Sequence, residues 1–334
     1  MIKLVFFLLL SVFTAVCSFG QTVSNVDAYQ EGKNIIITYD IDKLGFVDLV
    51  NCSTDGGCTW GAPLQHVSGD VNKQVPAGSH RIVWNVLAER EKLSGANICF
   101  KVEANSGRFT VNGVSFEMVR VEGGTFRMGA TSEQEDDADS DEKPVHSVTL
   151  SCYYIGKTEV TQALWQAVMG SNPSNFKGAD LPVECVSWDD CQEFIRKLNS
   201  MTGQNFRLPT EAEWEFACRG GNNSRGYKYS GSNNLGSVAW CDGNSGGKTH
   251  PVATKSPNEL GIYDMSGNVW EWCADWYGGY SSSAQTNPKG PYGGSRRVYR
   301  GGSWDDCAGI CRSSIRRDIY PTYGIYFLGL RLAL

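Results

Sequence analysis

Two stretches of this chain, Gly261–Trp272 (GIYDMSGNVWEW) and Arg300–Arg317 (RGGSWDDCAGICRSSIRR), constrain its fold more than any other part. Each is dense in glycine and tryptophan, and each sets a carboxylate or a cysteine beside backbone that only glycine bends freely. From Arg219 onward the chain is rich in Gly, Asn, Ser and Trp and has few periodic runs. That composition suits a fold held by loops, caps and ions rather than by long helices or broad sheets.

Helical periodicity is confined to the stretch before it. Val160, Leu164 and Val168 recur at helical spacing behind Thr161, a candidate N-cap. Cys191, Phe194, Ile195 and Leu198 do the same within Ser187–Leu198, and Thr210 with Glu213 forms a capping box opening a third helix.

The N-terminus predicts export. Lys3 precedes an apolar run from Leu4 to Val16, and Ser18 and Gly20 supply small residues for cleavage before Gln21. The run is shorter than the roughly 20 residues a bilayer span needs. Cys17 follows Thr14-Ala15-Val16, a poor context for a lipid anchor. Cleavage would leave eleven of the twelve cysteines, an odd number with at least one thiol unpaired.

Residues 21–112 read as a separate all-β unit. Ile35–Ile41, Phe46–Val50, Arg81–Val86 and Ile98–Val102 are short β-branched or aromatic runs divided by turn-formers such as Asp70, Pro76, Gly78 and Gly95, as in a small immunoglobulin-like sandwich. Within it Ser53–Trp60 resembles a single Asp-box, read as a stabilised hairpin flanked by Cys52 and Cys58, which could bridge it.

Net charge is −6, which favours neither nucleic acid nor an anionic membrane surface. The acid concentrates in Glu133–Glu142, expected to be a solvated loop. The four histidines, His66, His80, His146 and His250, show no metal-ligand spacing. The GNSGG around Ser245 lacks the apolar strand that a nucleophile elbow requires.

Together with Arg207–Cys218 (RLPTEAEWEFAC), Phe327–Ala333 (FLGLRLA) and the strand-like Met118–Gly129, the two glycine–tryptophan stretches resemble the formylglycine-generating enzyme family, the sulfatase-modifying factors. The resemblance implies an α+β, C-type-lectin-like fold with little regular secondary structure over residues 116–334. It implies a calcium ion on Asp264, Gly267, Val269 and Glu271, two side chains and two carbonyls, consistent with the ion's appetite for oxygen. A second family calcium would fall across Val238–Ala239 and Gly243–Gly247, where the expected Asn is missing. It also implies a disulfide between Cys218 and Cys311; the family's second bridge would require cysteines where Ile195 and Leu332 stand.

Active members carry two cysteines five residues apart after RGGSY. These bind copper(I) and oxidise a substrate cysteine to formylglycine. Here Cys307 lies one place past the first of those positions, Cys311 is assigned to the bridge, and Ser303 and Trp270 match residues lining the family's active groove. A single thiolate is a poor copper(I) site. The expectation is therefore an exported, calcium-stabilised, non-oxidase member that binds a protein or glycan through its groove. The alternative is an enzyme acting on a sulfatase. Cys241 and Cys307 have no place in the family's bridges, so a rearranged thiol pair stays open.

Overall fold

The computed structural model describes residues 23–42, 45–61, 64–71, 73–91, 93, 97–104, 107–134 and 138–334. The expected leader, Cys17 and the turn residue Gly95 lie outside the described residues. The chain divides into two compact units, Met1–Arg108 and Phe109–Leu334.

In the first unit, β1 (Val23–Glu31), β2 (Asn34–Ile41), β6 (Gly78–Trp84) and β4 (Val67–Gly69) form one antiparallel sheet. A second is made of β5 (Lys73–Val75), β3 (Gly45–Ser53) and β7 (Cys99–Ala104), and the short helix α1 (Val86–Glu89) follows β6. Ile35, Ile37, Val47, Val50, Ile82, Trp84 and Val102 fill one apolar core between them. The Asp-box geometry is present: Asp55 Oδ1 accepts the Thr59 N–H at 2.9 Å and Oδ2 its hydroxyl at 2.6 Å. Cys52 is buried, Cys58 is exposed, and both are free thiols, so the turn is held by Asp55 rather than by a bridge.

The second unit begins earlier than the sequence boundary because Phe109 and Val111 of β8 (Arg108–Val111) pack into its core. β8 pairs with β9 (Val114–Val121), which pairs with β12 (Tyr153–Gly156). β10 (Gly124–Met128), β11 (His146–Leu150) and β14 (Gln285–Thr286) form another three-stranded sheet. The third sheet of this unit has the order β16 (Arg316–Ile319), β15 (Arg297–Arg300), β13 (Trp270–Trp276) and β17 (Leu328–Leu330). Both glycine–tryptophan stretches thus meet in one sheet, with Glu271 opposite Arg300 on one side and Gly329 on the other.

The three helices form where the periodicity put them. α2 (Gln162–Met169) starts at Thr161, whose hydroxyl accepts the Leu164 N–H, and ends at Gly170 with φ +79°. α3 (Trp188–Thr202) and α4 (Glu211–Cys218) begin with Ser187–Asp190 and Thr210–Glu213 capping boxes. Trp165 of α2 stacks on Phe194 of α3 with centroids 4.8 Å apart. A single turn, α5 (Leu235–Val238), lies in the glycine-rich region.

Between these small elements the core is stapled by ion pairs. Arg300 bonds Glu215, Arg316 bonds Glu211 at 2.7 Å, Arg312 bonds Glu142 at 2.6 Å and Arg331 bonds Glu271 at 2.7 Å, all buried. Breaking such a pair from one side typically costs about 3–5 kcal/mol, because the remaining charge is stranded. The acidic run is accordingly not simply a solvated loop: Glu142 is fully buried on Arg312 and Glu133 reaches Arg219 at 2.5 Å. Among the described residues no helix is long and apolar enough to cross a membrane.

Candidate functional site

The RGGSW turn leaves β15 through two glycines that no other residue could replace without movement. Gly302 has φ +76°, and a Cβ there would sit 2.8 Å from Cys311 Sγ and 2.9 Å from the Ile310 carbonyl. The bend directs Ser303 toward Asp306, whose Oδ2 accepts the Ser303 hydroxyl at 2.5 Å. The same oxygen accepts the Trp270 indole N–H, from β13, at 2.8 Å. Trp270 in turn meets Tyr299 edge to face at 4.9 Å. Next to it Trp304 packs against Phe176 and Tyr326, with centroids 5.4 and 5.9 Å away.

The two expected groove residues therefore do converge, and what joins them is a residue that the sequence reading did not assign. Asp306 occupies the place one before Cys307, where the first reactive cysteine of active family members is expected. The signal was present: Ser303 followed three residues later by Asp306 is a local side-chain turn pattern. Cys307 is exposed and precedes a 3-10 turn, Ala308–Ile310, whereas Cys311 at its end is fully buried.

Cys218 and Cys311 do not bond; both are free thiols. Cys218 packs with Trp214 and Met265 in the core under α4, its thiol donating to the Met265 carbonyl at 3.6 Å. Cys311 packs instead with Tyr229, Val238 and Cys241. The pairing implied by resemblance is not the neighbourhood that the fold provides.

The Asp264–Glu271 loop is bent by three left-handed residues, Asp264 (φ +59°), Gly267 (φ +80°) and Asn268 (φ +60°). At Gly267 a Cβ would come within 2.2 Å of the Trp240 carbonyl, so only glycine fits. Asp264 is buried; its Oδ2 accepts the Ala253 N–H at 2.7 Å, while its Oδ1 is buried with no partner. Burial pushes its pKa up to about 6.

Glu159, missed by the sequence reading, clamps this loop from the segment before α2. Its two oxygens accept the Val269 N–H at 3.0 Å and the Asn268 side-chain amide at 2.7 Å. Burial, with Asp264 and Glu271 nearby, holds its carboxyl well above the usual range. Glu271 accepts the Trp214 indole N–H at 2.6 Å and is bonded by Arg331.

Three buried carboxylates thus face one arginine. Among the described residues no three His, Cys, Asp or Glu side chains form a ready-made metal cage. An orphaned, buried carboxyl oxygen on a glycine-bent loop, with two further acidic side chains nearby, nevertheless suits a hard cation bound partly by carbonyls. The residues fit such an ion best at Asp264; Glu271 would have to share it with Arg331.

Residues 105–334 match the sulfatase-modifying factor enzyme 1-like domain. The chain is 35% identical over 271 residues to the chaperone protein LppX of Paenibacillus barcinonensis, covering 66% of this chain and 88% of that one. It is 31% identical over 283 residues to the formylglycine-generating enzyme of Streptomyces coelicolor, covering 64% and 88%. Among solved structures, Treponema denticola variable protein 1 superposes with a TM-score of 0.61 at 37% identity, covering 68% of this chain and 97% of that one.

Proposed function

The chain belongs to the sulfatase-modifying factor family over residues 105–334, and from that premise we propose that it is a non-oxidase member, binding a protein or glycan ligand at the surface around Trp270 and Ser303. The observation that carries this reading is Asp306. Where a copper-binding thiolate is expected, a hard carboxylate stands, already engaged by Trp270 and Ser303. Copper(I) prefers soft thiolates, and a carboxylate is a poor substitute. Cys307 is exposed beside it without a second exposed thiol in the turn.

Calcium is proposed to stabilise the second unit through Asp264, Glu271 and the Gly267 and Val269 carbonyls. When bound it would favour the ionised forms of the Asp264 and Glu159 carboxyls, which burial disfavours in its absence. The first unit is read as an immunoglobulin-like spacer or docking module, a reading supported by its two antiparallel sheets over one core. Export, from the leader-like N-terminus, completes the proposal.

One relative is named as a chaperone and another as a formylglycine-generating enzyme, so a protein ligand and a sulfatase cysteine are the two partners to separate. The deciding experiment incubates the protein with copper(I) and a cysteine peptide carrying a sulfatase motif, followed by mass spectrometry. An unchanged peptide is expected; conversion to the aldehyde product, lost in Cys307→Ser, overturns the reading.

A further inference from the structure

We propose that Cys241 and Cys311 are a redox pair that joins as a disulfide, and that Cys307 is the thiol through which the oxidant enters. The proposal rests on the arrangement of three thiols and not on the binding reading above.

Cys241 and Cys311 are buried, at 6% and 0% exposure, and share one small apolar cluster with Tyr229 and Val238. Their loops are fastened to each other. The Asp242 N–H donates to the Asp306 carbonyl at 3.1 Å, and the Ser245 hydroxyl donates to the Trp304 carbonyl at 2.8 Å. Cys241 is held locally as well, its N–H bonded to Asn244 Oδ1 at 2.9 Å. Burial first, and then the nearness of Asp306, Cys241, Cys307 and Asp242, pushes the Cys311 thiol up, whereas Cys218 lies in the other core on the Met265 carbonyl.

Access divides the labour. Burial keeps Cys311 protonated and out of reach of solvent, while Cys307, four residues before it, is exposed. An external disulfide is attacked by the Cys307 thiolate, giving a mixed disulfide and releasing one thiol. Exchange then passes inward through Cys311 to Cys241, releasing the second thiol and returning Cys307 to its free form. In sum, two cysteine thiols lose two electrons and two protons, and the external disulfide leaves as two thiols.

The bond would have reach. The Trp240 carbonyl, adjoining Cys241, accepts the Asn268 N–H at 2.8 Å, and Asp306 holds Trp270. A staple here would tie the RGGSW turn to the Asp264–Glu271 loop.

The test treats the full chain with glutathione disulfide, blocks free thiols with N-ethylmaleimide and maps peptides without reduction. The expected product is a Cys241–Cys311 cross-link with Cys307 alkylated. Cys307→Ser should give the same product roughly tenfold more slowly, and Cys241→Ala, which keeps the first two exchanges and lacks the last, should stop at a Cys307–Cys311 bridge. As the end product in the unmutated chain, a Cys218–Cys311 or Cys307–Cys311 cross-link, or alkylation of both Cys241 and Cys311, overturns the pair. An undiminished rate in Cys307→Ser overturns the entry role, and that variant keeps the test decisive should Cys241→Ala fail to fold.

Discussion

The two glycine–tryptophan stretches solve the same problem in opposite ways. Each bends on glycine and carries an aspartate, yet the RGGSW turn engages Asp306 with Trp270 and Ser303, while the Asp264–Glu271 loop leaves Asp264 Oδ1 buried and alone. The first is finished by protein atoms. The second gathers three buried carboxyl groups around one arginine and leaves one of their oxygens without a partner, and an unpaired buried polar atom is a costly feature for a fold to hold. Sequence likeness between two loops thus conceals a difference in what each still lacks.

The largest expected effect comes from removing the one positive charge on the ion-loop side. Arg331→Met should destabilise the second unit by about 3–5 kcal/mol in denaturant unfolding, since Glu271, Glu159 and Asp264 would be left facing one another. A loss under about 1 kcal/mol, the scale of a surface pair, would show that the carboxylates are already neutral and would remove the contrast between the loops.

Calcium should come next. At free calcium near 100 times its dissociation constant the thermal stability should rise by about 2.7 kcal/mol. Asp264→Ala with Glu271→Ala should abolish the response, and chelation should reverse it in the wild type. A response that survives the double variant would move the ion away from this loop.

The RGGSW side predicts smaller changes with an internal order. Asp306→Ala strands the Trp270 indole and the Ser303 hydroxyl together and should cost about 2 kcal/mol, with altered tryptophan fluorescence. Ser303→Ala removes one donor and leaves the indole bonded, so about 1 kcal/mol is expected. Equal losses in the two variants would mean that Asp306 does not join the pair as the fold shows.

Much of the second unit was legible because its signals are local. Thr161 and Thr210 cap helices through atoms three residues away, so spacing alone locates them, and Ser187, not singled out as a cap from the sequence, does the same through Asp190. The left-handed bend at Gly267 is likewise written beside the residues it serves. Glu142 was misread for the opposite reason: its partner Arg312 lies 170 residues further on, and nothing in an acidic run tells which carboxylate will be buried.

The sequence by itself determined the family, the three helices with two of their caps, and the glycine positions at which backbone must bend, the helices and bends being matters of short-range sterics and hydrogen bonding. The tertiary structure decided which charges and thiols meet. Glu159 reaches Val269 across 110 positions, and Cys311 lies with Cys241 rather than Cys218. Such contacts depend on how separate loops pack in three dimensions, where a side chain's partner is fixed by the common core and not by its distance along the chain.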